Sequence, residues 1–217
     1  MEQIKIRPSI SLQALHRLPY YLQYLKRLKH EGLETVSAQT AAAYFGYSEI
    51  QVRKDFSAVS SSPGKPKQGF EIRTLIQDIE NYLGCRNMNE AILVGAGSLG
   101  RALLSYTGFE SYGLKIVAAF DNNNALIGTD INGKRVFPAE RISELSRRLH
   151  TQIGIIAVPA EQAQLVCDQL VAGGIQAIWN LAPVHLTVPP QILVQNENMA
   201  ASLALLSRHL REQTAAQ

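Results

Sequence analysis

Leucines recur at steps of three and four across residues 10–30, at Leu12, Leu15, Leu18, Leu22, Leu25 and Leu28, the stripe of an amphipathic helix. Pro19 falls inside the stripe and predicts a kink or the first turn of a second segment. Gly32 ends it. From Ser37 the pattern breaks into two short helices. Ser37 is placed to cap one that runs through Phe45, Gly46-Tyr47 supplies a tight turn, and Ser48 caps the next, with Gln51 three residues on in capping-box position. On that second helix Val52, Phe56 and Val59 share the face that must turn to a core. Ser60–Gly69 is rich in turn formers, Phe70-Glu71-Ile72-Arg73 resumes apolar/polar alternation, and Ile72–Leu83 reads as a further helix leading to a boundary within Gly84–Asn89.

Beyond that boundary the rhythm changes to short apolar runs separated by helical stretches. Strands are predicted at Ala91–Val94, Lys115–Phe120, Arg135–Pro138, Ile153–Val158, Ala177–Asn180 and Ile192–Gln195, and helices after Gly100 and over Ala139–Leu149 and Ala160–Ala172. Gly128–Gly133 reads only as a weak turn region. Strands alternating with helices predict a doubly wound parallel sheet of Rossmann type. A last helix over Asn196–Gln213 carries Met199, Leu203, Leu206 and Leu210 on one face. It either packs on its own sheet or crosses to a second subunit, because nothing after it covers so large an apolar stripe. The expected division is therefore α/β, with a helix-turn-helix domain of winged-helix kind over 1–86, a Rossmann domain over 87–195 and a C-terminal helix over 196–217.

The first chemistry sits where the strand Ala91–Val94 meets Gly95-Ala96-Gly97-Ser98-Leu99-Gly100. A G-x-G-x-x-G between a strand and a helix is the setting of a dinucleotide site. Gly95 permits the tight turn, Gly97 admits a pyrophosphate against the backbone, and Gly100 lets helix and strand approach. The helix N-terminus adds free N–H groups and partial positive charge. Asp121, at the tip of the second strand, is placed to accept from the adenosine ribose hydroxyls, and its charge repels a 2′-phosphate, favouring NAD(H) over NADP(H). Asp121 also heads the turn Asp121-Asn122-Asn123-Asn124, a purely structural role that its residue type fits equally. Ligands of such sheets bind at the carboxyl ends of strands, which brings Val158-Pro159 and Asn180–Pro183 to the same crevice.

The second chemistry is basic. Opposite its core face, the second short helix presents Gln51, Arg53, Lys54 and Ser57, near the end where a recognition helix meets base edges. Arg and Lys suit guanine edges and phosphates, and Gln suits adenine. Lys65 and Lys67 punctuate the following loop, which reads as a wing reaching phosphate rather than a linker because of the alternation at Phe70–Arg73. Through Arg86 there are 12 Lys/Arg against 8 Asp/Glu, and after it 9 against 10. The positive excess in the front half points to an anionic polymer as its partner. Hydrophobic residues at 46% and charged residues at 18% describe an ordinary globular chain. No apolar run reaches the ~20 residues of a membrane span, and the N-terminus has no signal pattern, so a cytoplasmic location is expected. Cys85 and Cys167 are too far apart in sequence for metal-ligand spacing.

Taken together, RLPYYLQYLKRL (17–28), QVRKDFS (51–57), VGAGSLGRALLSY (94–106) with Gly108-Phe109, AAFD (118–121), AVPAEQAQ (157–164) and NLAPVHLTVP (180–189) resemble the Rex family of redox-sensing transcriptional repressors over nearly the whole chain. The resemblance implies a winged-helix domain on an NAD(H)-binding Rossmann domain, a homodimer with exchanged C-terminal helices, and double-stranded operator DNA with an inverted repeat as partner. NADH and NAD are implied as competing ligands, the former releasing DNA. It places the cofactor at Gly95, Ala96, Gly97, Ser98, Leu99, Gly100 and Asp121, with the nicotinamide end near Val158, Pro159, Asn180, Ala182 and Pro183. The DNA contacts are Arg53 and Lys54, with Lys65 and Lys67 from the wing. Three features depart from the family pattern: the wing, the glycine loop and the start of the last helix. Ser60 and Lys67 stand where wing glycines fall, with Phe70 for a tyrosine, and Ser98 is neutral where some relatives are basic. Asn198 replaces an aspartate that in the family meets an arginine and a tyrosine, here Arg17 and Tyr106. That exchange removes a charge-assisted partner of Arg17, an interaction of about 1.5–3 kcal/mol when desolvated.

Two other functions use the same residues. A small NAD-dependent dehydrogenase needs a general acid/base, for which His185 is the histidine near the crevice, with Arg101 the nearest cation on the glycine-loop helix. That reading leaves no substrate domain, since the front half is occupied by a DNA-binding pattern. A CoA- or nucleotide-binding module without a DNA role leaves the helix-turn-helix unexplained. A third possibility is a Rex-like DNA-binding paralogue whose NADH response is weakened at Asn198.

Overall fold

In the computed structural model, which describes residues 10–66, 68–85 and 89–215, the leucine stripe folds as a single helix, α1 (Leu12–His30), capped by Ser11. It runs through Pro19 without a break, so the predicted second segment does not form. Leu18, Leu22, Leu25 and Leu28 are buried, whereas Leu12, at the start of the helix, is 69% exposed. The chain divides into two compact units, Met1–Asn87 and Met88–Gln217.

In the first unit α2 (Ala38–Phe45) and α3 (Glu49–Val59) form the helix-turn-helix. Ser37 Oγ accepts from the Thr40 N–H at 2.9 Å and Ser48 Oγ from the Gln51 N–H at 3.2 Å. Gly46 ends α2 in the left-handed conformation (φ 70°), which glycine adopts without steric cost. Val52, Phe56 and Val59 are fully buried with Tyr21, Leu22 and Leu75 in one core. The reciprocal half of the capping box is replaced. The Gln51 amide is turned toward α1, and with its oxygen assigned to the side that faces the Arg17 guanidinium it accepts from Arg17 Nη1 at 2.8 Å. After α3, Ser61 offers both its N–H and its hydroxyl to buried Asp78, at 2.6 and 2.7 Å. The chain then turns back in a narrow hairpin closed by paired Lys65–Gly69 backbone bonds of 2.8 and 2.9 Å. Strands β1 (Thr35–Val36) and β2 (Phe70–Glu71) pair antiparallel at its root, and α4 (Ile72–Leu83) completes the unit.

The second unit begins with β3 (Asn89–Val94) and α5 (Ser98–Ser105). The helix expected after Gly100 ends at Ser105, and Thr107–Tyr112 is a 3-10 helix. Then follow β4 (Leu114–Asp121), β5 (Asp130–Ile131), β6 (Lys134–Pro138), α6 (Ile142–Leu149), β7 (Ile153–Ile156), α7 (Ala160–Ala172), β8 (Ala177–Asn180), β9 (Leu193–Asn196) and α8 (Met199–Ala215). The sheet order is β5-β6-β4-β3-β7-β8-β9. Its six parallel strands follow the dinucleotide-binding order 3-2-1-4-5-6, and only β5 is antiparallel. Strand side chains alternate between two cores. Ile92 and Val94 face Ile142, Ala163 and Leu170, while Ala91 and Leu93 face Leu104 and Ile116. The weak turn region proves to be a hairpin, with Asn132 (φ 51°) and Gly133 (φ 75°) at its tip.

Along α8, Leu203, Leu205, Leu206 and Leu210 are each about 60% exposed or more. Met199 was expected on this stripe, and its side chain lies outside those described.

Candidate functional site

The outward side of α3 is built by what its inward side holds. Val52, Phe56 and Val59 fix its rotation, leaving Arg53, Lys54 and Ser57 exposed. Arg53 forms an (i, i+4) ion pair with Glu49 in the first turn of the same helix. Lys65 is exposed in the hairpin beside this face, and Lys67 lies outside the described residues. Gln51, expected as a base reader, instead spends its amide oxygen on Arg17.

Asp55 is the residue that sequence reasoning passed over. It is 5% exposed on the core side of α3. Its carboxylate accepts from Arg17 Nε and Nη2 at 2.8 and 2.9 Å and from the Tyr21 hydroxyl at 2.9 Å. Hydrogen bonding to Asp55 raises the Arg17 pKa above its ordinary value. Burial, then the Asp55 hydrogen bond, raises that of the Tyr21 phenol. Arg17 was expected to lack a carboxylate partner because position 198 is Asn, and Asp55 supplies one within the first unit. The signal was legible: Asp55 falls between Val52, Phe56 and Val59 on the apolar face, where a charge requires a partner. Asn198 itself caps α8, accepting from the Ala201 N–H at 2.9 Å. Tyr106 is 58% exposed and meets Phe109 edge-on at 4.9 Å, and Phe109 meets Trp179 at 5.9 Å.

In the second unit the glycine loop joins β3 to α5 between the two central strands, at the point where the strand order reverses. A Cβ on Gly95, whose φ is 100°, would lie 2.4 Å from the Ala157 carbonyl oxygen, and one on Gly100 only 1.8 Å from that of Gly95. Packing of the protein itself therefore demands both glycines. A Cβ on Gly97 would meet nothing within 4 Å. The packing of the protein itself therefore does not demand a glycine there. Gly97 is also the N-cap of α5 and provides no side-chain cap bond, so first-turn N–H groups point outward as anion donors. Ser98 is exposed there and Leu99 half-buried.

Asp121 closes the loop from the side. Its Oδ2 accepts from the Ala96 N–H at 2.7 Å and its Oδ1 from the Asn123 N–H at 2.8 Å. It thus heads the turn and braces the loop together, and each oxygen keeps a second lone pair for a ribose hydroxyl. Val158 is half-buried and Pro159 exposed at the end of β7. Asn180 does not face the crevice as expected. It is fully buried, with Nδ2 donating to the Val184 carbonyl (2.7 Å) and Asn196 Oδ1 (2.9 Å), and Oδ1 accepting from the Ala182 N–H (3.1 Å). It shapes the Leu181–Val184 loop instead of touching a ligand. Ala182 is buried under that loop, and Pro183 and His185 are exposed on it.

Cys85 and Cys167 are both free thiols. Among the described residues no His/Cys/Asp/Glu group could hold a metal, and no helix is long and apolar enough to cross a membrane.

Residues 9–57 match the family model described as putative DNA-binding protein N-terminus, and residues 86–184 that of the CoA binding domain. The chain is 41% identical over 196 residues to the redox-sensing transcriptional repressor Rex of Bacteroides fragilis, covering 90% of this chain and 89% of that one. Against the Clostridium acetobutylicum Rex it is 33% identical over 95% of its own length and 96% of the relative's. Among solved structures it resembles RSP in complex with β-NAD+ and operator DNA (TM-score 0.89, 31% identity, 96% and 95% of the two chains). The β-NADH complex of RSP, a Rex-family repressor, gives a TM-score of 0.85 at 30% identity, over 96% and 97%. These relatives are repressors rather than enzymes, which removes the dehydrogenase reading of His185 and Arg101. By its front and back halves alike, the chain belongs to the Rex family of redox-sensing transcriptional repressors.

Proposed function

We propose that this chain is a dimeric, cytoplasmic repressor that holds inverted-repeat operator DNA through α3 and the Lys65 hairpin and lets it go when NADH fills the crevice between β3 and β7. The observation that carries the reading is Gly97, a loop glycine with open space where its side chain would be and an uncapped helix behind it. The loop fits a dinucleotide. Gly97, Ser98 and Leu99 offer backbone N–H groups to the pyrophosphate, Asp121 takes the ribose, and Val158, Pro159 and Pro183 border the nicotinamide end. Asp121, already accepting from Ala96, disfavours a 2′-phosphate by charge. The nicotinamide of a bound dinucleotide supplies the redox signal through its reduced or oxidised state.

The exposed leucines of α8 support a second protomer as their cover, since a monomer would leave that stripe in water. In a dimer, two α3 helices would occupy successive major grooves about one DNA turn, roughly 34–36 Å, apart. For release, NADH must favour the non-binding dimer arrangement. Moving the population from 1:99 to 99:1 requires a preference of about 5.5 kcal/mol. Sedimentation of the protein with a labelled duplex selected from a random pool should give two protomers per duplex. Arg53→Ala and Lys54→Ala should each weaken that complex, by about tenfold or more for the loss of one bidentate base contact, while retaining NADH binding. Loss of NADH binding in the same variants would refute the division of labour between the two units.

A further inference from the structure

Among the exposed side chains of α3 one has the wrong charge for DNA. Glu49 occupies its first turn, on the groove that Arg53, Ser57 and the Lys65 hairpin also line, and its carboxylate pairs with Arg53. Both side chains are substantially exposed, at 41% and 65%, so the pair contributes little to the fold. A carboxylate here repels phosphate. Bare affinity for DNA would be greater without it.

We infer that Glu49 sets the sequence selectivity of α3 by buttressing Arg53, a role that rests on the DNA-binding reading above. Arg53 has five N–H donors in a fixed fork. It can present two of them to the O6 and N7 of a guanine while another remains on Glu49, so base recognition keeps the pair intact. Moving Arg53 onto a phosphate instead either breaks the pair or brings phosphate against the carboxylate. Glu49 thus withholds one cation from sequence-independent binding and orients it for a base edge. With Gln51 turned inward to Arg17, Arg53 is the main bidentate reader left on this face, and its orientation weighs correspondingly more.

The test compares the full-length protein with Glu49→Gln, Arg53→Ala and the double variant. Each is titrated against a pool-selected duplex and a scrambled one over 50–200 mM salt. Glu49→Gln should tighten scrambled-duplex binding and steepen its log Kd against log salt slope by about 0.9, the increment for one added phosphate contact. The ratio of selected to scrambled affinity should fall by about fivefold, within the range one bidentate base contact controls. In the Arg53→Ala background the same substitution should change neither the slope nor the ratio. Two results would overturn the inference: an unchanged ratio in Glu49→Gln, or an equal effect with Arg53 already removed. The second would mean a net-charge effect or a direct contact of Glu49 with a base, neither acting through Arg53. Failure of the unaltered protein to bind any duplex would overturn the DNA-binding reading as well.

Discussion

Asp55→Ala removes the carboxylate that ties α1 to α3. Three hydrogen bonds are lost, two from the Arg17 guanidinium and one from the Tyr21 hydroxyl. Arg17, with its side chain only 15% exposed, is left with the Gln51 amide oxygen as its remaining acceptor. Breaking a buried pair at one partner costs about 3–5 kcal/mol, and the residual exposure of Arg17 with its Gln51 contact places this case near the lower end, about 3 kcal/mol. For a unit of this size that corresponds to a melting shift of about 10–20 °C. The chain has one tryptophan, Trp179 on β8, so its fluorescence follows the second unit while far-UV circular dichroism follows both. The expected outcome is an early dichroism transition in Asp55→Ala, with the Trp179 transition unmoved. Replacing both partners, Arg17→Met with Asp55→Leu, should be less damaging than either single change, because no buried charge is then stranded. A shift below about 1 kcal/mol, or one seen equally by Trp179, would refute the role given to the pair.

Gly97→Val should abolish NADH binding, read by the quenching of Trp179 or by dialysis, at a stability cost of no more than about 1 kcal/mol, the cost of an apolar N-cap. Gly100→Ala should do the reverse and unfold the second unit first, since its Cβ has no room beside the Gly95 carbonyl. If both substitutions proved equally harmless, the loop geometry would be wrong. Asp121→Asn keeps an acceptor for the Ala96 N–H while removing the charge, so the fold should persist and NADPH should gain on NADH; an unchanged preference would deny Asp121 its ribose role. Burial holds the Tyr21 and Tyr24 phenols above their ordinary range. A raised folded-state pKa stabilises fully below the unfolded value near 10 and the stabilisation is lost as pH rises through the folded value. The first unit should therefore show no tyrosine-linked change between pH 6 and 9. At 295 nm Tyr21 and Tyr24 should ionise above the ordinary tyrosine range, and ionisation of either within that range would contradict its burial.

Periodicity made α3, α7 and β8 legible nearly to the residue, because each has clear stops: Ser48, Pro159 and Asn180. It failed where tertiary context decides. Strand β1 is two residues long, too short to have a period, and forms only because β2 returns beside it. Helix α1 outlasts Pro19, which the leucine stripe on both sides holds within the helix. The Asn132-Gly133 hairpin was readable, since that dipeptide is a strong hairpin signal, and was passed over for want of long flanking strands. At the site, the close packing at Gly95 and Gly100 followed from their spacing, but the side chains that set the geometry did not. Asn180 looked like a ligand contact and is a loop brace. Gln51 looked like a base reader and faces Arg17. Both are polar groups whose partners lie far along the chain, so only the folded arrangement determines which hydrogen bond wins.

The most direct test of the account is fluorescence anisotropy of a labelled, pool-selected duplex bound by the protein and then titrated separately with NADH and NAD+. NADH should return the signal to that of free duplex at concentrations where NAD+ leaves the complex intact. A complex that survives saturating NADH, with NADH binding shown independently, would contradict the central claim and leave a DNA-binding protein whose dinucleotide site no longer controls it.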